Sequence, residues 1–169
     1  LVKSQQKTPK WIGQSMWEDI DYYYFMAHET ENTMTSLRIK IKCLDAIEAF
    51  IQEDGKQIYS VIFTNFGYEV TDPMIQRFVS TVYRSMRQIA QDNYSFYWEK
   101  IEKSDDLTSQ ILFKNYLLLR VPKVSLRRYQ IATINSQLNE LQSAEDQTLY
   151  ELLLKGKDQF IEKINADKE

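Results

Sequence analysis

The single histidine, His28, sits in the segment DIDYYYFMAHETE with Glu29 beside it and Glu31 three residues on. An imidazole steadied by a carboxylate is the common general base of hydrolytic sites. If the segment is helical, Tyr24, His28 and Glu31 share one face. Such a base also needs a nucleophile or a groove, and nothing in the local spacing supplies either. As a metal ligand His28 would need partners from elsewhere in the chain. One cysteine excludes a Cys-built site, and the Glu-x-x-His spacing of two-metal bundles is absent around His28. The reading is a histidine at an element's surface.

Cys43 lies between Lys40, Lys42 and the apolar Ile41 and Leu44. Neighbouring ammonium groups would activate an exposed thiolate, but the apolar phase predicts burial as a small core residue. The four glycines, Gly13, Gly55, Gly67 and Gly156, are scattered singly, so no phosphate-cradling loop exists. No Gly-x-Ser-x-Gly elbow occurs, and Asp19-x-Asp21 by itself does not make a magnesium site. The sequence therefore predicts no enzyme, no cofactor and no metal.

Residues that could hold a partner are more prominent. Lys123, Arg127 and Arg128 follow Pro122 at an expected helix start, where positive charge opposes the helix dipole and so suggests contact with an acidic surface. Three bases in a chain of net charge -3 fall far short of a nucleic-acid stripe, which disfavours nucleic acid. Aromatics make up 13% of the 169 residues. They concentrate in two runs, Trp11, Trp17 and Tyr22 to Phe25, and Tyr94, Phe96, Tyr97 and Trp98. On a helix, consecutive residues point about 100° apart, so neither run can face one core, and Trp11, Trp17, Tyr22, Tyr24, Tyr94 and Trp98 read as anchors in another protein.

The elements that must position these residues read as helices. Four Gly and three Pro leave few turns. Ser15-Met16-Trp17-Glu18 has capping-box form, and an apolar stripe through Ile20, Tyr23, Ala27, Met34, Leu37, Ile41, Leu44 and Ile51 predicts a helix ending near Gly55. The stretch Leu37–Lys42 also alternates like a strand, but the helical phase runs through it. Ile58–Phe66 reads as a short buried helix stopped by Gly67. Asp72-Pro73 opens a helix reaching Ile101, and the acidic turn at Ser104–Asp106 caps a central helix from Leu107 to Arg120. Beyond Pro122, the residues Ile131, Ile134, Leu138 and Leu141 keep coiled-coil spacing, with either a phase change or a break near Ser143.

The expected fold is thus all-α: a flexible basic arm over residues 1–10, then one helical domain over 11–169 with 126–165 able to protrude. The arm lacks the apolar core of a signal peptide. An unbroken helix from Met16 to Glu53 would run about 57 Å, longer than the roughly 40 Å width of a compact chain of this size, which argues for an elongated bundle. No run of about 18 apolar residues suggests a membrane span, and one cysteine points to no oxidising compartment. An intracellular, soluble setting is expected, cytoplasmic or organellar. The function that follows is a non-catalytic subunit that binds other proteins or its own copies. A bundle binding a small apolar ligand and a regulator or inhibitor of one target are the alternatives.

Overall fold

The computed structural model describes residues 2–3, 7–34, 36–66, 73–105 and 108–166. In chain order the elements are β1 (Val2–Lys3), β2 (Met16–Glu18), β3 (Tyr22–Glu31), α1 (Leu37–Phe66), α2 (Pro73–Asp92), β4 (Tyr94–Asp105), β5 (Thr108–Pro122), α3 (Lys123–Ser143) and α4 (Gln147–Ala166). The strands form one antiparallel sheet in the order β1-β4-β5-β3-β2. The fold is mixed α/β, which overturns the all-α helical bundle. Setting β1 aside, the order ββαα occurs twice, and the second strands of the two hairpins pair at the centre of the sheet.

The strands β2, β3, β4 and β5 all lie where helices are expected, and at β3 and β5 the side chains show why. The run Tyr22–Phe25 would ring a helix, whereas a strand sends its members alternately to two faces. Tyr23 and Phe25 are buried on one, and Tyr22 and Tyr24 lie half-buried on the other. β5 is flanked by β3 and β4, and Tyr116–Leu119 are buried on both of its faces. An apolar run that would wrap a helix is equally the signature of such a strand. The capping-box residues Ser15 and Glu18 border and end β2, and Asp19 caps the turn into β3. Its Oδ1 accepts the Asp21 and Tyr22 amides at 2.9 and 2.8 Å, and its Oδ2 accepts the Tyr24 hydroxyl at 2.5 Å. These bonds, the Tyr24 one first, hold the Asp19 carboxyl below its ordinary range. The long helix expected from Met16 to Glu53 is therefore two strands and the start of α1.

Helix bounds shift as well. α1 runs through Gly55, where a β-carbon would come within 3.2 Å of the Phe78 ring, so the glycine serves packing and not termination. α2 begins at Pro73 but stops at Asp92, nine residues short of Ile101. Asn93 ends it by donating its side-chain Nδ2 to the Ile89 carbonyl at 2.9 Å. The segment after Pro122 breaks over Ala144–Asp146, with Glu145 at φ 56° and Asp146 Oδ1 accepting the Leu149 amide at 3.2 Å. No unbroken helix runs from Met16 to Glu53, the length on which the expectation of an elongated bundle rests. Gly67, Asp72, Asp106 and Leu107, expected at turns and caps, lie outside the described residues, as do Leu1 and residues 4–6 of the basic arm.

The chain divides into two compact units, Leu1–Ile47 with Arg87–Lys123, and Glu48–Met86 with Val124–Glu169. In the first, Ile39, Cys43, Leu44 and Ile47 of α1 are buried with Tyr23, Phe25, Leu117, Leu119 and Val121 of the sheet. The Cys43 thiol lies 3.7 Å from the Phe25 carbonyl and 3.6 Å from that of Leu117, which fixes α1 on this face. The second unit is helical, with a core that includes Ile51, Ile58, Phe78, Val82, Leu126, Ile134, Leu138 and Phe160. Its buried glutamines are satisfied: Gln137 accepts the Tyr59 hydroxyl and donates to the Met74 carbonyl, and Gln130 donates to Asp54, which also pairs with Arg127 at 2.7 Å.

Candidate functional site

The residues expected to meet a partner fall in both units of the chain. Ile134 and Leu138 are buried in the core of the second unit, with Ile131 and Leu141 half-buried, so the coiled-coil seam is internal packing. The basic cluster is dispersed among acids. Lys123 pairs with Glu18 and lies 4.8 Å above the Tyr23 ring. Arg127 pairs with Asp54 and stacks 5.1 Å from Phe160, leaving Arg128 exposed beside Tyr129.

The aromatics also separate by face. Trp17 stacks flat on Tyr24 with centroids 5.0 Å apart, and Tyr22 lies 6.0 Å from Tyr24. Trp98 meets Phe113 edge-on at 5.8 Å, Trp11 is half-buried, and Tyr94 is 62% exposed. His28 is exposed, 5.7 Å from the Tyr116 ring. Because adjacent strand residues point to opposite faces, Glu29 and Glu31 face α1 while His28 faces away. The expected grouping of His28 with Glu31 on one face is therefore broken.

Sequence reasoning missed a different surface, where β3 ends and α1 begins. β5 pairs with all ten residues of β3, but β2 covers only Tyr23–Phe25. The Met26 amide still reaches the Ser15 carbonyl at 2.8 Å. Past it, no strand among the described residues lies along that side, so the outward backbone groups of His28 and Thr30 form an open sheet edge. A shallow, open depression lined by Thr30, Glu31, Asn32, Thr33, Leu37 and Arg38 adjoins it.

Three large apolar side chains stand exposed in the segment that follows this edge: Met34 (53%), Leu37 (68%) and Ile41 (53%). All three belong to the stripe read as core. Of that stripe Leu44 and Ile51 are buried on α1, but the buried face also runs through Ile39, Cys43 and Ile47, which leaves Leu37 and Ile41, one turn apart, outside.

Charged pairs hold the surface in place. Lys42 pairs with Glu29 at 2.6 Å, and Arg38 with Glu31 at 3.6 Å. Residues two apart on a strand are spaced about 6.8 Å and residues four apart on a helix about 6 Å, so the two ladders match. Lys42 holds the Glu29 carboxyl below its ordinary range. Under the turn, the fully buried Asn115 donates to the Thr33 carbonyl at 3.1 Å and fixes the connection that carries Met34. The signal for this arrangement was present as Glu-x-Glu followed by Arg-x-x-x-Lys, and only the strand assignment gives it meaning.

Cys43 is buried, and burial pushes its thiol up to about 12. Among the described residues no three His, Cys, Asp or Glu side chains converge to hold a metal, and no helix is long and apolar enough to cross a membrane. What the surface offers is unpaired backbone groups, apolar side chains and a fixed backbone. Comparison with protein-family models, with curated proteins and with solved structures gave no match.

Proposed function

We propose that the protein is a non-catalytic binding subunit that takes an extended segment of a partner protein on the outer edge of β3, with Leu37, Ile41 and Met34 receiving the partner's apolar side chains. The observation that carries this reading is the coincidence of an open strand edge at His28 and Thr30 with three exposed apolar side chains within eight residues of sequence. An added strand gains backbone hydrogen bonds from the edge and specificity from neighbouring side chains. The depression beside Leu37 is shallow and lined mostly by polar residues, which suits a peptide backbone better than a flat apolar ligand.

Two variants attack the surface by different physics. Thr30→Pro deletes one outward N–H while leaving the β5 ladder intact, since proline is tolerated on the open side of an edge strand. Leu37→Glu with Ile41→Glu charges the helix face and removes no buried side chain. Cross-linked capture from the native source, quantified by mass spectrometry, should recover a set of proteins with wild type that both variants lose, while circular dichroism is unchanged. Equal recovery by wild type and both variants would sink the proposal.

A further inference from the structure

The opposite edge of the sheet carries its own pattern. β4 is twelve residues long, and on its outer side, among the described residues, the strand it meets is β1, through Val2 opposite Lys100 and Lys3 opposite Glu99. Its alternation can be read from one bond: the Arg120 amide donates to the Asn93 carbonyl at 3.1 Å, so odd-numbered residues of β4 bond to β5. The backbone groups of Trp98, Lys100 and Glu102 point outward. Glu99–Lys103 reads Glu-Lys-Ile-Glu-Lys, which inverts its charges about Ile101.

We infer that β4 pairs with β4 of a second copy, antiparallel and centred on Ile101, to continue the sheet across a two-fold axis. In that register each Lys100 lies opposite the partner copy's Glu102, each Glu99 opposite its Lys103, and the two Ile101 residues face each other. Every charge meets its opposite. A shift by one residue in either direction would bring like charges together, which fixes the register. The backbone agrees, because Lys100 and Glu102 both point outward and can exchange two hydrogen bonds per pair, while Ile101 falls at the closer, non-bonded position where apolar side chains touch.

Within one chain Lys100 already reaches Glu102 at 2.7 Å on the same face, so the added strand completes a four-charge cluster of alternating sign. Glu102 and Lys103 are exposed, with Lys100 and Ile101 half-buried, and among the described residues only the two of β1 pair along the row. A closed two-fold interface also protects a long strand, of which β1 pairs with two residues, from indefinite strand addition. The second copy's strand takes the place of β1 at Lys100. This surface lies across the sheet from the open edge of β3 and does not depend on a partner there.

Sedimentation of the full chain tests the idea by charge exchange. Wild type should be a dimer in equilibrium with monomer. Lys100→Glu and Glu102→Lys should each weaken self-association about tenfold, because each sets like charges opposite at two places. Mixing the two variants should restore association. In the mixed pair the introduced glutamate of one chain faces the introduced lysine of the other, and the unaltered Glu102 of the first faces the unaltered Lys100 of the second, although the pair within each chain stays broken. Glu99→Lys mixed with Lys103→Glu repeats the exchange on the other face and covers the case in which either of the first variants misfolds. A wild type that stays monomeric at its highest soluble concentration, or mixtures no more associated than their components, overturns the inference.

Discussion

At the scale of single residues, the groups that looked most chemical are the ones the fold has put to structural use. Cys43 is the clearest case. Its burial raises the thiol to about 12, above its value in the unfolded chain, so the folded state favours the neutral form. That contribution is complete below an unfolded pKa of about 8.5 and is lost as pH rises toward 12. Denaturant midpoints should therefore fall between about pH 9 and 11 in wild type, with a flatter profile in Cys43→Ala. The native thiol should resist alkylation at about pH 8 and react at once in denaturant; fast native labelling would show that α1 does not cover it. Asp54 makes a second residue-scale case. Its carboxylate is shared by Arg127 and Gln130, and both ion-pair side chains are mostly buried. Asp54→Ala removes the carboxylate that Arg127 and Gln130 share, both largely out of water, and should cost about 2–3 kcal/mol by chemical denaturation.

At the scale of elements, helical phase and strand alternation compete for the same residues, and local pattern could not always decide between them. α2 opens at Pro73 as its sequence reads, and the break between α3 and α4 falls near Ser143, where a phase change or a break is expected. β3 and β5 did not read as strands, because their evidence is tertiary. The run Tyr116–Leu119 looks like an all-round helix until β3 and β4 are placed on either side of it. The open edge was legible only as unused information, since Glu29 and Glu31 match Lys42 and Arg38 only when one segment is a strand and the other a helix.

Gly156 sharpens the point. A helical glycine reads as a soft spot, and replacement by alanine normally stabilises a helix by about 1 kcal/mol. Here a β-carbon would come within 2.1 Å of the Ile58 carbonyl oxygen. Backbone cannot yield as a flexible side chain does, so Gly156→Ala should instead destabilise by roughly 1–3 kcal/mol. A raised melting temperature would show that α1 and α4 can part at no cost.

At the scale of the whole chain, the two units divide the labour. Both proposed contacts belong to the first unit, at opposite sides of one sheet, and the polar ties of Asp54, Tyr59, Gln130 and Gln137 belong to the second. Asp54→Ala should accordingly lower stability without changing self-association at temperatures where the chain stays folded, and Lys100→Glu should do the reverse. Sedimentation and melting on the same two variants separate these effects.

The unequal reach of the strands has a kinetic counterpart. β5 pairs with β4 from Thr108 to Leu119 but with β3 only from Phe113 to Pro122. The alternate amides that point toward β3 are therefore enclosed at Leu117 and Leu119 and open to water at Ser109 and Ile111. Hydrogen exchange along this one strand should run as a gradient, from global-unfolding rates near Leu119 to near-random-coil rates at Ile111. The strand carries its own clock, and a neighbour added at β4 would slow Glu102 while leaving Ile111 to tick as before.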